Sequence, residues 1–221
     1  MWAVGCGLWA ATAVLAQGPA ARDLKFSHKL HLERPGARCV DCHAAAVEST
    51  DSADRNLPAE QTCLRCHDGV RAARVDAKSA SLLQTARREI RFNHKLHVGM
   101  GNLAPILAAA IDSKKYLGSS AAEIRKLLNT KEACEACHRG LELTDYSSKA
   151  NLPQMADCLV CHNKIDPPFS CEKCHIAPAV KLKPATHTPD YIDVHSSRKT
   201  KLDKPSCVIC HGVDFRCMGC H

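Results

Sequence analysis

Aromatic side chains are scarce in this 221-residue chain: four Phe, three Tyr and two Trp make up 4% of it. Nine large flat apolar groups are too few for a self-sufficient core of this size. No segment alternates apolar and polar residues over a useful length, so little or no β-sheet is expected. The longest apolar run, Trp2 to Ala16, falls short of the about 20 residues that a membrane-spanning helix needs. No charge occurs before Arg22. This opening, with Val14-Leu15-Ala16 before Gln17, reads as a signal peptide over residues 1–16 that is removed on export. An uncleaved anchor, or lipidation at Cys6 from a start lying upstream, are the alternatives.

Cysteine and histidine are abundant instead, with 15 and 13 copies. A reduced cytosolic enzyme seldom carries so many thiols. Every cysteine except Cys6 stands in a Cys-x-x-Cys-His string. The strings are Cys39-Val-Asp-Cys42-His43, Cys63-Leu-Arg-Cys66-His67, Cys134-Glu-Ala-Cys137-His138 and Cys158-Leu-Val-Cys161-His162. Three more follow: Cys171-Glu-Lys-Cys174-His175, Cys207-Val-Ile-Cys210-His211 and Cys217-Met-Gly-Cys220-His221. Zinc ribbons, redox dithiols and disulfide frameworks share the Cys-x-x-Cys spacing but do not require the following histidine. The complete string is the attachment signature of c-type haem. Two thiols add across the vinyl groups, and the adjacent His43, His67, His138, His162, His175, His211 or His221 becomes the proximal iron ligand. Seven covalent haems are therefore expected.

Six histidines remain as distal ligands: His28, His31, His94, His97, His187 and His195. Four of them form two echoing segments, Phe26-Ser-His28-Lys-Leu-His31 and Phe92-Asn-His94-Lys-Leu-His97. The i, i+3 spacing puts both imidazoles of a pair on one helical face. A Phe-x-His-x-x-His segment ahead of paired attachment strings resembles the class III cytochromes c, the trihaem and tetrahaem family. The resemblance covers residues 26–67 and 92–162 and fits the rest more loosely. It implies that His28 caps the His43 haem, His31 the His67 haem, His94 the His138 haem and His97 the His162 haem.

The interval from Cys39 to Cys63 equals that from Cys134 to Cys158, and Asn56-Leu57-Pro58 and Asn151-Leu152-Pro153 stand at the same offset before the second string. These echoes indicate a duplicated two-haem module, at residues 22–75 and 92–162, joined by an amphipathic linking helix over 76–91. The second copy carries a helical insertion over 98–133. Its features are an apolar run from Leu103 to Ile111 and a capping box, Ser120-Ala-Ala-Glu123, ahead of Ile124, Leu127 and Leu128. The strings should lie on short helices, with Pro58 and Pro153 in first turns and Gly69, Gly140 and Gly212 as stops.

Residues 163–221 form a three-haem segment in which His187 and His195 cap two of the haems at His175, His211 and His221. The Pro-rich stretch from Pro178 to Pro189 reads as an extended wrap. One haem is left without a histidine cap. Met100, Met155, a lysine, a histidine from a second subunit, water or an open site would complete it.

The formal charge of +7 would ordinarily raise nucleic acid as a partner. Fourteen haem propionates move it to roughly −7 in the ferrous state, so nucleic acid is not expected. The porphyrins also supply the missing flat apolar surface. The fold class is mainly α with much irregular coil, short helices and loops wrapped around a chain of haems. The function that follows is electron transfer by a periplasmic or extracellular protein, without substrate chemistry. Its partners would be redox proteins, either a quinone-linked membrane complex or other cytochromes, and a homo-oligomer could supply the seventh distal ligand. A multihaem reductase acting at one open haem is the alternative.

Overall fold

Ser27 and Asn93 start the two echoing helices, and each does so with its own side chain. Ser27 Oγ accepts from the Leu30 N–H at 3.1 Å and opens α1 (His28–Glu33). Asn93 Oδ1 accepts from the Leu96 N–H at 2.9 Å and opens a helix over His94–Gly99. Ser and Asn are both strong helix caps, so the two segments differ in letter but share a physical role. The structure, a computed structural model, describes residues 26–77, 89–162, 171–185, 187–196 and 204–211. The expected signal peptide, most of the linking helix, the seventh string and Gly212 lie outside the described residues.

Helices and coil make up the described chain, and the single antiparallel bridge, Ile90 with His175, builds no strand. The expectation of short helices without sheet holds. In chain order the helices are α1, α2 (Cys39–Cys42), α3 (Ala45–Glu48), α4 (Glu60–Leu64), α5 (His94–Gly99), α6 (Ala104–Asp112), α7 (Ala121–Lys126), α8 (Met155–Leu159), α9 (Ala179–Leu182), α10 (Tyr191–Ser196) and α11 (Lys204–His211). Two further strings lie on 3₁₀ turns, Cys134–Ala136 and Cys171–Lys173. In five strings the histidine N–H returns to the carbonyl of the first cysteine, at 2.8 Å for His43, His138 and His175, 2.9 Å for His162 and 3.0 Å for His67. That single turn lifts the imidazole beside both sulfurs.

Several local expectations are corrected. Pro58 and Pro153 stand before the caps Ala59 and Gln154, outside the first turn. Ser120 does not cap α7, because its hydroxyl is drawn to Gln154 Oε1 at 3.1 Å. The end of the linking segment is extended, since Arg91 N–H and Ile176 N–H exchange hydrogen bonds with Cys174 O and Glu89 O across the fifth string. The Pro-rich stretch is not wholly extended: it contains α9, which starts directly after Pro178. Gly69 and Gly140 adopt φ of +89° and +71° that a side chain would disfavour, but the string turns already end at Arg65 and Cys137, and Gly140 opens the next turn.

The core sits where the insertion meets the third and fourth strings. Ala104, Leu107, Tyr116, Ile124, Leu128, Ala136 and Ala156 are buried together. Alanine dominates, so α6 approaches the Cys134–Ala136 turn closely. Among the described residues no large side chain is fully buried, as expected of a thin wrap.

The two halves grip each other reciprocally. Helix α1 packs against the 3₁₀ turn Leu141–Leu143, and α5 packs against α3. Lys29 N–H donates to Thr144 O at 3.4 Å, and Lys95 N–H donates to Ser49 O at 2.9 Å. These positions correspond: each lysine follows the first histidine of its pair, and Ser49 and Thr144 stand at one offset after His43 and His138. Such exchange, i with j and j with i, is the contact pattern of two-fold-related copies.

Candidate functional site

Five pairs of imidazoles face each other. His28 faces His43 with ring centres 6.4 Å apart and planes at 12°, and His94 faces His138 at 6.5 Å and 7°. His31 faces His67 at 6.1 Å and 50°, and His97 faces His162 at 6.3 Å and 45°. His187 faces His211 at 6.1 Å and 6°. Each pair joins a histidine of an attachment string to a histidine outside any string.

These separations are too long for ring contact in this molecule, where Phe26 lies 4.4 Å from His31 and Tyr191 4.7 Å from His187. They match an ion between the rings. A metal–nitrogen bond of about 2.0 Å on each side, with each ring centroid about 1.1 Å behind its nitrogen, would give a centroid separation of about 6.2 Å. The residues present therefore fit six-coordinate haem iron.

Five of the paired histidines have their outward ring nitrogen on a backbone carbonyl, while His94 Nδ1 is buried without a partner among the described residues. The Nδ1–H of His43 donates to Asn56 O at 2.8 Å, that of His67 to Ala73 O at 2.7 Å and that of His138 to Asn151 O at 3.2 Å. On the opposite side His31 donates to Ser27 O and His97 to Asn93 O, both at 2.8 Å. A carbonyl can only accept, so Nδ1 carries the proton and Nε2 keeps its lone pair for a metal. Burial, then the neighbouring His43 and His31 rings, hold His28 below its usual pKa; burial and His97 do the same for His94. Both are thus held in the neutral form that binds a metal.

Three contributors were not foreseen from the sequence as supports of the site. Phe26 stacks on His31 and meets His28 edge-on, and Phe92 repeats this with His97 and His94. The Asn-Leu-Pro echo supplies the carbonyls that accept from His43 and His138. Tyr191 stacks on His187 at 7°. The Phe and Asn signals were visible as repeats, but repetition alone does not say what a residue touches.

Thiols of different strings lie near one another. Cys42 lies within electrostatic reach of Cys63 and Cys66, joining the first and second strings. Cys39 and Cys134 stand within hydrogen-bonding reach, joining the first to the third. Cys158 is influenced by Cys137 and Cys174, joining third, fourth and fifth. Cys210 is influenced by Cys171, and α11 packs against α8, which places the sixth string beside the fifth and fourth.

Among the described residues no histidine ring faces His175. The side chain of His195, and Cys217, Cys220 and His221, lie outside the described residues. Met100 is 59% exposed after α5, and Met155 is 37% exposed at the start of α8. Among the described residues no helix is long and apolar enough to cross a membrane.

A family model described as outer membrane cytochrome MtrC/MtrF-like, domains II/IV, matches residues 35–221. No curated protein and no solved structure matches the chain.

Proposed function

The chain belongs to that multihaem cytochrome family, and on this premise we propose that it passes electrons along seven covalently attached c-type haems at the cell surface. The five facing imidazole pairs carry the reading. Haem supplies reversible one-electron chemistry, and everything else is the work of this chain's residues. Fourteen cysteines, Cys39, Cys42, Cys63, Cys66, Cys134, Cys137, Cys158, Cys161, Cys171, Cys174, Cys207, Cys210, Cys217 and Cys220, hold the groups covalently. His43, His67, His138, His162, His175, His211 and His221 bind iron from one side. His28, His31, His94, His97 and His187 would hold the same irons as His43, His67, His138, His162 and His211 in turn. Two strong-field imidazoles would favour low potentials relative to His/Met pairs. The carbonyl acceptors of Nδ1 restrain ring rotation, so little rearrangement accompanies each electron.

The finer architecture is part of the same proposal. Residues 22–75 and 92–162 are two copies of a two-haem module resembling the class III cytochromes, and their first attachment sites meet at the Cys39–Cys134 junction. His195 caps the haem at His175 or at His221, and the other takes a ligand from elsewhere. The partners are redox proteins, other cytochromes first among them.

The test is the mass and spectrum of the exported holoprotein. Intact mass spectrometry should show seven haems on one chain, and fewer would refute the count. A second reading, reduction of a small oxyanion at an open haem, is favoured only by His175 having no facing histidine among the described residues. Nitrite or CO binding to the ferrous protein at one haem per chain would support it. No binding at any haem would exclude it.

A further inference from the structure

Between the third and fourth strings lies a buried ionic cluster that the first and second strings do not have. Arg139 directly follows His138, and Asp157 directly precedes Cys158. Their side chains are 3% and 4% exposed and meet at 2.7 Å from Nη2 to Oδ2. Tyr116, delivered by the insertion and itself buried, donates its hydroxyl to Asp157 Oδ1 at 2.9 Å. Gln154 N–H donates to Asp157 Oδ2 at 2.7 Å, and Arg139 Nη1 donates to Ala136 O at 2.7 Å. The network reaches the site itself. Asn151 Nδ2 donates to Arg139 O at 2.8 Å, while Asn151 O accepts from His138 Nδ1. In the first half the corresponding residues are Ala44 and Thr62, so no such pair can form there.

A buried ion pair is costly to assemble and is weak evidence for stability. Charge held in a low-dielectric site between two redox centres does, however, act on both of them. Asp157 adjoins Cys158 in the chain and its partner Arg139 adjoins His138, so the pair touches both attachment sites.

We propose that Arg139, Asp157 and Tyr116 are positioning residues that lock the third and fourth haem sites together and set their potentials apart from those of the first and second. The proposal rests on the haem reading given above. Arg139 fixes the turn behind His138, and Asp157 fixes the turn ahead of Cys158. The Tyr116 hydroxyl and the guanidinium share the carboxylate between them. Reduction adds negative charge, so the local field sets how readily each site takes an electron.

The sign of the effect separates this role from mere structural support. D157N removes the negative charge and leaves the Arg139 cation uncompensated, so the midpoint potentials at the His138 and His162 sites rise. Y116F keeps the ring in the core but removes one donor from the carboxylate, so the same two potentials fall. Potentials at the His43 and His67 sites stay at their wild-type values in both variants. The experiment is a redox titration of full-length holoprotein followed by NMR of the haem methyl resonances, with sites assigned from H28M, H31M, H94M and H97M variants. Opposite shifts confined to the third and fourth sites support the proposal. Shifts of one sign, shifts shared by all sites, or no shift overturn it. If D157N does not accumulate, Y116F decides alone: a fall at the third and fourth sites supports the cluster, and unchanged potentials overturn it. A wild-type protein without covalent haem would refute the haem reading instead, so the two failures are distinguishable.

Discussion

In the proposed ligation, backbone carbonyls hold the outward ring nitrogen of several of the ligating histidines. His43 and His138 use the carbonyls of Asn56 and Asn151, and His31 and His97 use those of the capping residues Ser27 and Asn93. Replacing a distal ligand should therefore affect a single site. H28A and H94A should each convert one haem per chain to a high-spin form that binds CO, read by EPR and by CO titration. The two asparagines should respond differently to truncation. Asn151 is 7% exposed, and its amide satisfies Arg139 O at 2.8 Å. N151A should cost about 1–3 kcal/mol by leaving that carbonyl unpaired. Asn56 reaches only the Ser49 hydroxyl, at 3.2 Å in a half-buried position, so N56A should cost less, with thermal unfolding of the holoprotein comparing the two. The string histidines were legible in the sequence as candidate ligands because the attachment signature names them. Their carbonyl acceptors were not, since a backbone oxygen leaves no trace in residue type.

At the scale of elements, the insertion converts a bare pair of strings into a packed one. Helices α6 and α7 bury Leu107 and Ile124 at 4% exposure each against Ala136 and Ala156. L107A should destabilise the holoprotein by about 2–5 kcal/mol in denaturant unfolding, the range for deleting a buried leucine. G118A should also destabilise. A Cβ at Gly118 would stand 2.6 Å from Tyr116 Cε1 and 3.1 Å from Ala156 Cβ, and Tyr116 is held by its hydrogen bond to Asp157. The Leu103–Ile111 run was readable as a helix from its apolar, alanine-rich composition. The Ser120 capping box was misread because Gln154, distant in sequence, competes for the hydroxyl. The end of the linking segment was misread for the same reason: the fifth string offers Arg91 and Glu89 tertiary backbone partners. Local propensity loses wherever a long-range hydrogen bond is available.

Across the whole molecule, the internal sequence echo and the charge both look different once the contacts are seen. The histidine-bearing helix of each half packs on the segment after the first string of the other. Neither half is thus a complete unit alone, which the linear repeat did not reveal. The basic composition, +7 over the chain, is a property of the chain without its propionates and says little about partners. The most direct measurement is low-temperature EPR, with near-infrared magnetic circular dichroism, on the fully oxidised holoprotein. Five imidazole pairs predict at least five low-spin His/His haems per chain, in two geometric classes. Three pairs are within 12° of parallel, and two are tilted by 45° and 50°. Ring orientation splits the iron d orbitals differently in the two classes, so two sets of low-spin signals should appear. Fewer than five His/His haems, or a majority of high-spin or His/Met haems, would contradict the proposed ligation.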